Sequence, residues 1–144
     1  MSFFSEILFI VVLIYLSVMD IRKRVVSMKV LYFLVLIAVI NSIFIKKMDM
    51  TSISQGAFSG LFIILCSRIT RKIGMGDGLV ILATGILVGL YDNLLLLLIS
   101  FLGACISFLV LYVFHKNIHI ELPFIPYLTI SYCIINLSWL WRVI

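Results

Sequence analysis

Two aspartates, Asp20 and Asp77, are the residues in this sequence with the means to do chemistry. The chain has only six acidic residues. Asp20 directly follows the apolar pair Val18-Met19 and precedes Arg22, Lys23 and Arg24. Asp77 sits within Gly74-Met75-Gly76-Asp77-Gly78, just ahead of another apolar run. A carboxylate in or against a lipid bilayer is costly, so it counts by default as a functional candidate. Two carboxylates at one membrane depth can be brought together, and like charges in close contact cannot both ionise easily, so such a pair is expected to hold one shared proton. The ionised member can take a proton from water, while the protonated member donates to a peptide carbonyl. Burial raises the upper titration step further, and both steps belong to the pair. This is the chemistry of water-activated peptide hydrolysis, with no covalent intermediate and no metal or organic cofactor.

The neighbours of these acids have plainer readings beside the functional ones. Gly74, Gly76 and Gly78 are expected to adopt backbone conformations closed to other residues, to position Asp77 and to let a substrate strand come close. Gly-x-Gly alone is also an ordinary turn, and Asp20 with its basic followers alone reads as an interfacial loop. Pro123 and Pro126 either shape the start of the last apolar run beside the site or simply mark a helix start, where a missing N–H costs little. His115, His119 and Glu121 lie near one another but lack the HExxH arrangement, so no metal site is expected. Cys66, Cys105 and Cys133 occur singly inside apolar runs, without a CxxC pair; they read as packing residues.

The elements that must hold these residues follow from composition. Of 144 residues, 65% are hydrophobic and 12% are charged, against about 25% charged in a soluble domain. Such a chain cannot cover itself with a polar surface, which excludes a soluble globular fold, and it is too apolar for disorder. A transmembrane barrel would alternate polar and apolar residues instead of running apolar. A spanning helix takes about 20 residues, so the expected fold is all-α: a polytopic membrane protein with six transmembrane helices in a single bundle, one domain over residues 1–144. The apolar runs fall at about residues 3–19, 30–45, 53–67, 78–91, 94–114 and 124–143. The first is read as a span and not as a cleaved signal, because it lacks a basic flank and a small-residue cleavage site. Gly56 and Gly60 in the third run, and Gly85 and Gly89 in the fourth, have the spacing of closely packed helices.

Polarity between the runs sets an orientation. The first, third and fifth breaks hold Arg22, Lys23, Arg24, Lys29, Arg68, Arg71, Lys72 and Lys116; the other side holds Lys46, Lys47 and Arg142. The basic excess places the odd breaks in the cytoplasm and both chain ends outside. Asp20 and Asp77 then share the cytoplasmic edge, with Glu6, Asp49 and Asp92 at the other. Tyr91, Trp139 and Trp141 suit the outer interface. The net charge of +5 comes in short clusters between apolar runs, which suits anionic lipid head groups and not nucleic acid.

Three segments in register resemble the type IV prepilin peptidases, the GxGD-type membrane aspartyl proteases, in their short form. Asp20-Ile21-Arg22-Lys23-Arg24-Val25-Val26 is similar to the family's first-aspartate segment. Gly74-Met75-Gly76-Asp77 matches GxGD, with Gly85 eight residues on. Leu122-Pro123-Phe124-Ile125-Pro126-Tyr127-Leu128 is similar to the PFxP segment. Many members have Ile-Pro-Asn after the first aspartate, where this chain has Val26-Ser27-Met28, and a Lys where it has Leu79. The resemblance implies catalysis by Asp20 and Asp77 in the cytoplasmic membrane. It implies prepilin or pilin-like precursors as substrates, bearing a short basic leader, a glycine at the cleavage point and an apolar helix. Without the paired CxxC region of the larger members, it implies peptidase activity without methyl transfer. Two other classes remain open to the residues: a non-catalytic assembly factor of a pilus or secretion system, and a small ion-coupled transporter subunit. Against the transporter, both acids sit at one edge and no internal repeat is present.

Overall fold

A computed structural model describes residues 2–23, 26–70, 74–115 and 123–143. Arg24, Val25, Arg71, Lys72, Lys116, His119, Glu121 and Leu122 lie outside the described residues, as do the side chains of His115, Trp139, Trp141 and Arg142. The uninterrupted apolar runs leave the backbone no partner but itself, and the result is helical throughout: α1 (Ser2–Lys23), α2 (Met28–Ile40), α3 (Met50–Thr70), α4 (Met75–Val88), α5 (Leu90–His115) and α6 (Ile125–Val143). No strand occurs among the described residues. α2 continues through a wider π turn, Asn41–Ile45, in which the Lys46 amide donates to the Asn41 carbonyl at 2.9 Å.

Among the described residues, three helical stretches are long and apolar enough to cross a membrane: Met28–Ile45, Met50–Thr70 and Leu90–Phe114. Met75–Val88 and Ile125–Asn136 are shorter apolar helices. Large apolar side chains also cover the described outer faces of α3 and α5. Phe58, Leu61, Phe62, Leu65 and Ile69 of α3 and Leu98, Phe101, Leu102 and Ile106 of α5 are all more than half exposed. Water would penalise such a surface, whereas lipid is a good solvent for it.

α4 lies at the centre, packed against α2, α3 and α5, while α1 packs against α2 and α6, and α6 against α5. Val80, Ile81, Ala83, Ile86 and Leu87 of α4 are buried with Phe9, Leu13 and Leu16 of α1, Leu31 and Leu34 of α2, and Leu128 and Tyr132 of α6. α3 docks differently. Its buried residues are Gly56, Ser59, Gly60 and Ser67, so the backbones of α3 and α4 meet with little between them. A Cβ on Gly56 would run into the Gly85 carbonyl and come within 3.3 Å of Gly89 Cα; one on Gly60 would run into Leu82. Gly78 sits against α3 in the same way, 2.6 Å from Ile64 Cγ1 for an added Cβ. The pairs run in opposite sequence directions, so α3 and α4 are antiparallel.

Two boundaries differ from the sequence reading. The break expected at residues 91–93 is instead the single residue Gly89, whose φ of +87° and ψ of 174° end α4 in a backbone region that is essentially reserved for glycine. Asn93 therefore belongs to the first turn of α5 and is fully buried. Its side-chain amide donates to Ser59 Oγ at 2.7 Å and to the Ile81 carbonyl at 3.2 Å, and its carbonyl accepts from Thr84 Oγ1 at 2.8 Å. A residue that polarity alone assigned to a loop thus joins α3, α4 and α5. The cysteines also depart from a core role: Cys66 and Cys133 are partly exposed and Cys105 is exposed.

Candidate active site

The helix arrangement brings the ends of three distant segments together. Asp20 lies in the last turn of α1. Asp77 is the third residue of α4, behind Gly74 as N-cap, and its amide donates to the Gly74 carbonyl at 3.2 Å. The helix dipole favours a negative charge in this first turn, but burial outweighs it and raises the Asp77 carboxyl. Pro123 and Phe124 lead into α6, whose first amide, that of Ile125, donates to Asp20 Oδ2 at 3.3 Å. Together with Val26, Met28, Gly74, Met75 and Gly76, these residues line a cavity of about 320 Å³. A water occupies about 30 Å³ of the liquid, so there is room for several waters or for a few residues of extended peptide.

The cavity is apolar-walled, with two acids in it. Val26, Met28, Met75, Phe124 and Ile125 supply the walls, and among the described residues the lining includes no Lys, Arg or His. Both aspartates belong to the polar breaks and not to the apolar runs. Burial pushes the Asp77 carboxyl up to about 6, and the neighbouring charge of Asp20 adds to the rise. Burial also raises Asp20 above its ordinary value, while the hydrogen bond from the Ile125 amide works in the other direction. The arrangement favours one proton on two carboxyls in mildly acidic conditions, below about pH 6. Among the described residues no hydrogen bond joins the two carboxyls directly. Asp20 has a backbone partner instead, and the acids communicate through charge.

The shaping residues divide by location. Gly74, Gly76 and Pro123 line the cavity; Gly78 and Pro126 do not. None of the three glycines has a positive φ; among the described glycines that is true only of Gly89. Their expected backbone freedom is therefore not what the fold uses. A Cβ on Gly74 would lie 3.2 Å from Asp77 Oδ2, so its absence leaves space for the carboxyl itself. A Cβ on Gly76 would make ordinary contact, 3.6 Å from Leu31 Cδ1. Gly78 serves the approach of α3 to α4. Pro126 is the second residue of α6, where a missing amide is cheap. Sequence reasoning passed over the Ile125 amide and the walls formed by Val26, Met28, Met75 and Phe124. Only their adjacency to the quoted segments could have signalled them, since apolar side chains and backbone amides carry no composition mark.

The opposite end of the bundle is closed by an ion pair. Lys46 Nζ lies 3.2 Å from Glu6 Oε1 and donates to the Leu87 carbonyl at 3.4 Å, near the C-terminal end of α4. Asp20 and Asp77 thus lie at one end of α1 and α4, and Glu6 and Lys46 at the other.

The model of the type IV leader peptidase family matches residues 7–110. The match takes in both aspartates and residues 74–78 and stops short of residues 123–126. No curated protein and no solved structure shows a significant match.

Proposed function

The chain belongs to the type IV leader peptidase family, and from that premise we propose that it is an aspartic endopeptidase that removes leaders from prepilins or pilin-like precursors. The family and the apolar helices make it a multi-pass membrane peptidase in general terms. The observation that carries the finer reading is the meeting of Asp20 and Asp77, from α1 and α4, in one cavity at one end of the bundle. One carboxylate activates a water there, and the other carboxylic acid polarises the scissile carbonyl. The cavity's apolar walls accept uncharged residues around the cleavage point, and the substrate's apolar helix lies in the bilayer beside the bundle. All six helices cross or enter the membrane in this reading, with the acids on the cytoplasmic side as the basic excess of the odd breaks requires.

Cleavage in membranes tests it. Wild type, Asp20→Asn and Asp77→Asn are each co-expressed with a panel of pilin-like precursors, and the new N-terminus is read by mass spectrometry. Cleavage after the leader glycine by the wild type alone is the expected result. Precursors left intact by a folded, inserted wild type would overturn the prepilin reading and favour a non-catalytic assembly factor.

A further inference from the structure

The two acids are not equivalent in their surroundings. We propose that the Ile125 backbone amide at the start of α6 holds Asp20 as the ionised partner, so that Asp20 is the base toward water and Asp77 is the acid toward the carbonyl. This rests on the aspartic peptidase reading above and assigns the roles within it.

The geometry at the start of α6 carries the assignment. The first helical amides of any helix lack partners within it. Here Pro126 has no amide, and the amides of Tyr127 and Leu128 donate to the Phe124 carbonyl at 3.1 and 3.3 Å. Of the first residues of α6, Ile125 is left with its amide directed outward, and Asp20 Oδ2 accepts it. An N–H at a helix start favours the charged form of its carboxylate acceptor. Asp77 has a different setting: its own amide is used by the Gly74 carbonyl, and its carboxyl is packed over Gly74. The direction of the titration shifts agrees, since the Asp20 charge is among the causes that keep Asp77 protonated.

Among the described residues, the charged groups around Asp20 do not compete for this role. α4 offers Asp77, and the described part of α6 beside the site offers no titratable side chain. Arg22 and Lys23 on α1 and Lys29 on α2 are exposed, and none lines the cavity.

The step balances as follows. The Asp20 carboxylate takes a proton from water as the water oxygen bonds to the carbonyl carbon, and the Asp77 proton passes to the carbonyl oxygen. The Asp20 proton then goes to the leaving nitrogen as the C–N bond breaks. One hydroxyl of the tetrahedral intermediate returns its proton to Asp77, restoring both acids.

The test is a pH titration of the protein in detergent with ¹³C-labelled aspartate carboxyls, assigned through Asp20→Asn and Asp77→Asn. The chain has four aspartates, so the spectrum is tractable. The expected result is that Asp20 titrates at lower pH than Asp77. Ile125→Pro, which keeps a helix start but removes the amide, raises the Asp20 midpoint by about one pH unit, while Ile125→Val leaves it in place. Pro126→Ala adds a donor and lowers the midpoint, and it decides the matter if Ile125→Pro does not fold. Asp77 titrating first, or Ile125→Val moving Asp20 as far as Ile125→Pro, overturns the assignment. The titration does not depend on turnover, so an inactive protein with the expected order would count against the peptidase reading alone.

Discussion

At the residue scale, the proposed mechanism asks one aspartate pair to hold a charge and a proton at once. Asp77 is displaced upward to about 6 from an ordinary value of 3.8. A raised folded-state value means stability that is present below about 3.8 and is lost as pH rises through about 6. Asp77→Asn removes that loss. It should stabilise the folded protein at pH 8, by at most about 3 kcal/mol, and change little at pH 4. Thermal unfolding in detergent at the two pH values reads this directly, and equal effects at both would contradict it. Activity should vary in the same direction. Because Asp77 must be protonated to donate, kcat/KM for the free enzyme should fall above about pH 6. A pH profile that stays flat from 5 to 8 would exclude Asp77 as the acid.

At the scale of elements, α4 is held by backbone approach on one side and by a buried polar cluster on another. The glycines of α3 and α4 let the helices come closer than any side chain permits. Gly60→Val should separate them and cost about 1–3 kcal/mol, whereas Gly76→Ala should leave folding nearly unchanged, since its Cβ meets only ordinary contacts. Asn93→Leu removes three hydrogen bonds that tie α5 to Ser59, Thr84 and Ile81. A cost of about 1–2 kcal/mol is expected, read as a lower unfolding temperature. The effect on catalysis should be indirect, because Asn93 does not line the cavity that holds Asp77. Neither the Gly89 break nor the Asn93 anchor was legible locally. A glycine in an apolar run signals packing as readily as a chain break, and an asparagine beside an aspartate resembles a loop until its partners are in place.

At the scale of the whole molecule, the two ends of the bundle have different tasks. The Glu6–Lys46 pair and the Lys46 contact to the Leu87 carbonyl close one end, and the cavity with its acids opens the other. In a cysteine-free background, Lys23→Cys should react with a membrane-impermeant thiol reagent only from the cytoplasmic side, and Lys47→Cys only from the other. The reverse pattern would turn the protein over and place the acids outside. Ion pairs open to solvent contribute little, and this one is partly exposed, so Lys46→Met should weaken the bundle mainly through the lost contact to α4, by less than about 1 kcal/mol.

The sequence by itself determined the apolar character, the helical class, the two candidate aspartates and the family, because each is written in composition or in short motifs. Apolar runs leave helices as the economical way to satisfy the backbone in lipid, and charge clusters mark where the runs end. Tertiary structure decided which groups meet. That Gly78 faces Ile64 of α3, that Gly74 leaves space for the Asp77 carboxyl and that an Ile125 amide reaches Asp20 all depend on how helices distant in sequence cross. Backbone amides have no residue type to announce them. Their role is set by which helix end a neighbouring segment happens to reach, and only the packed bundle fixes that.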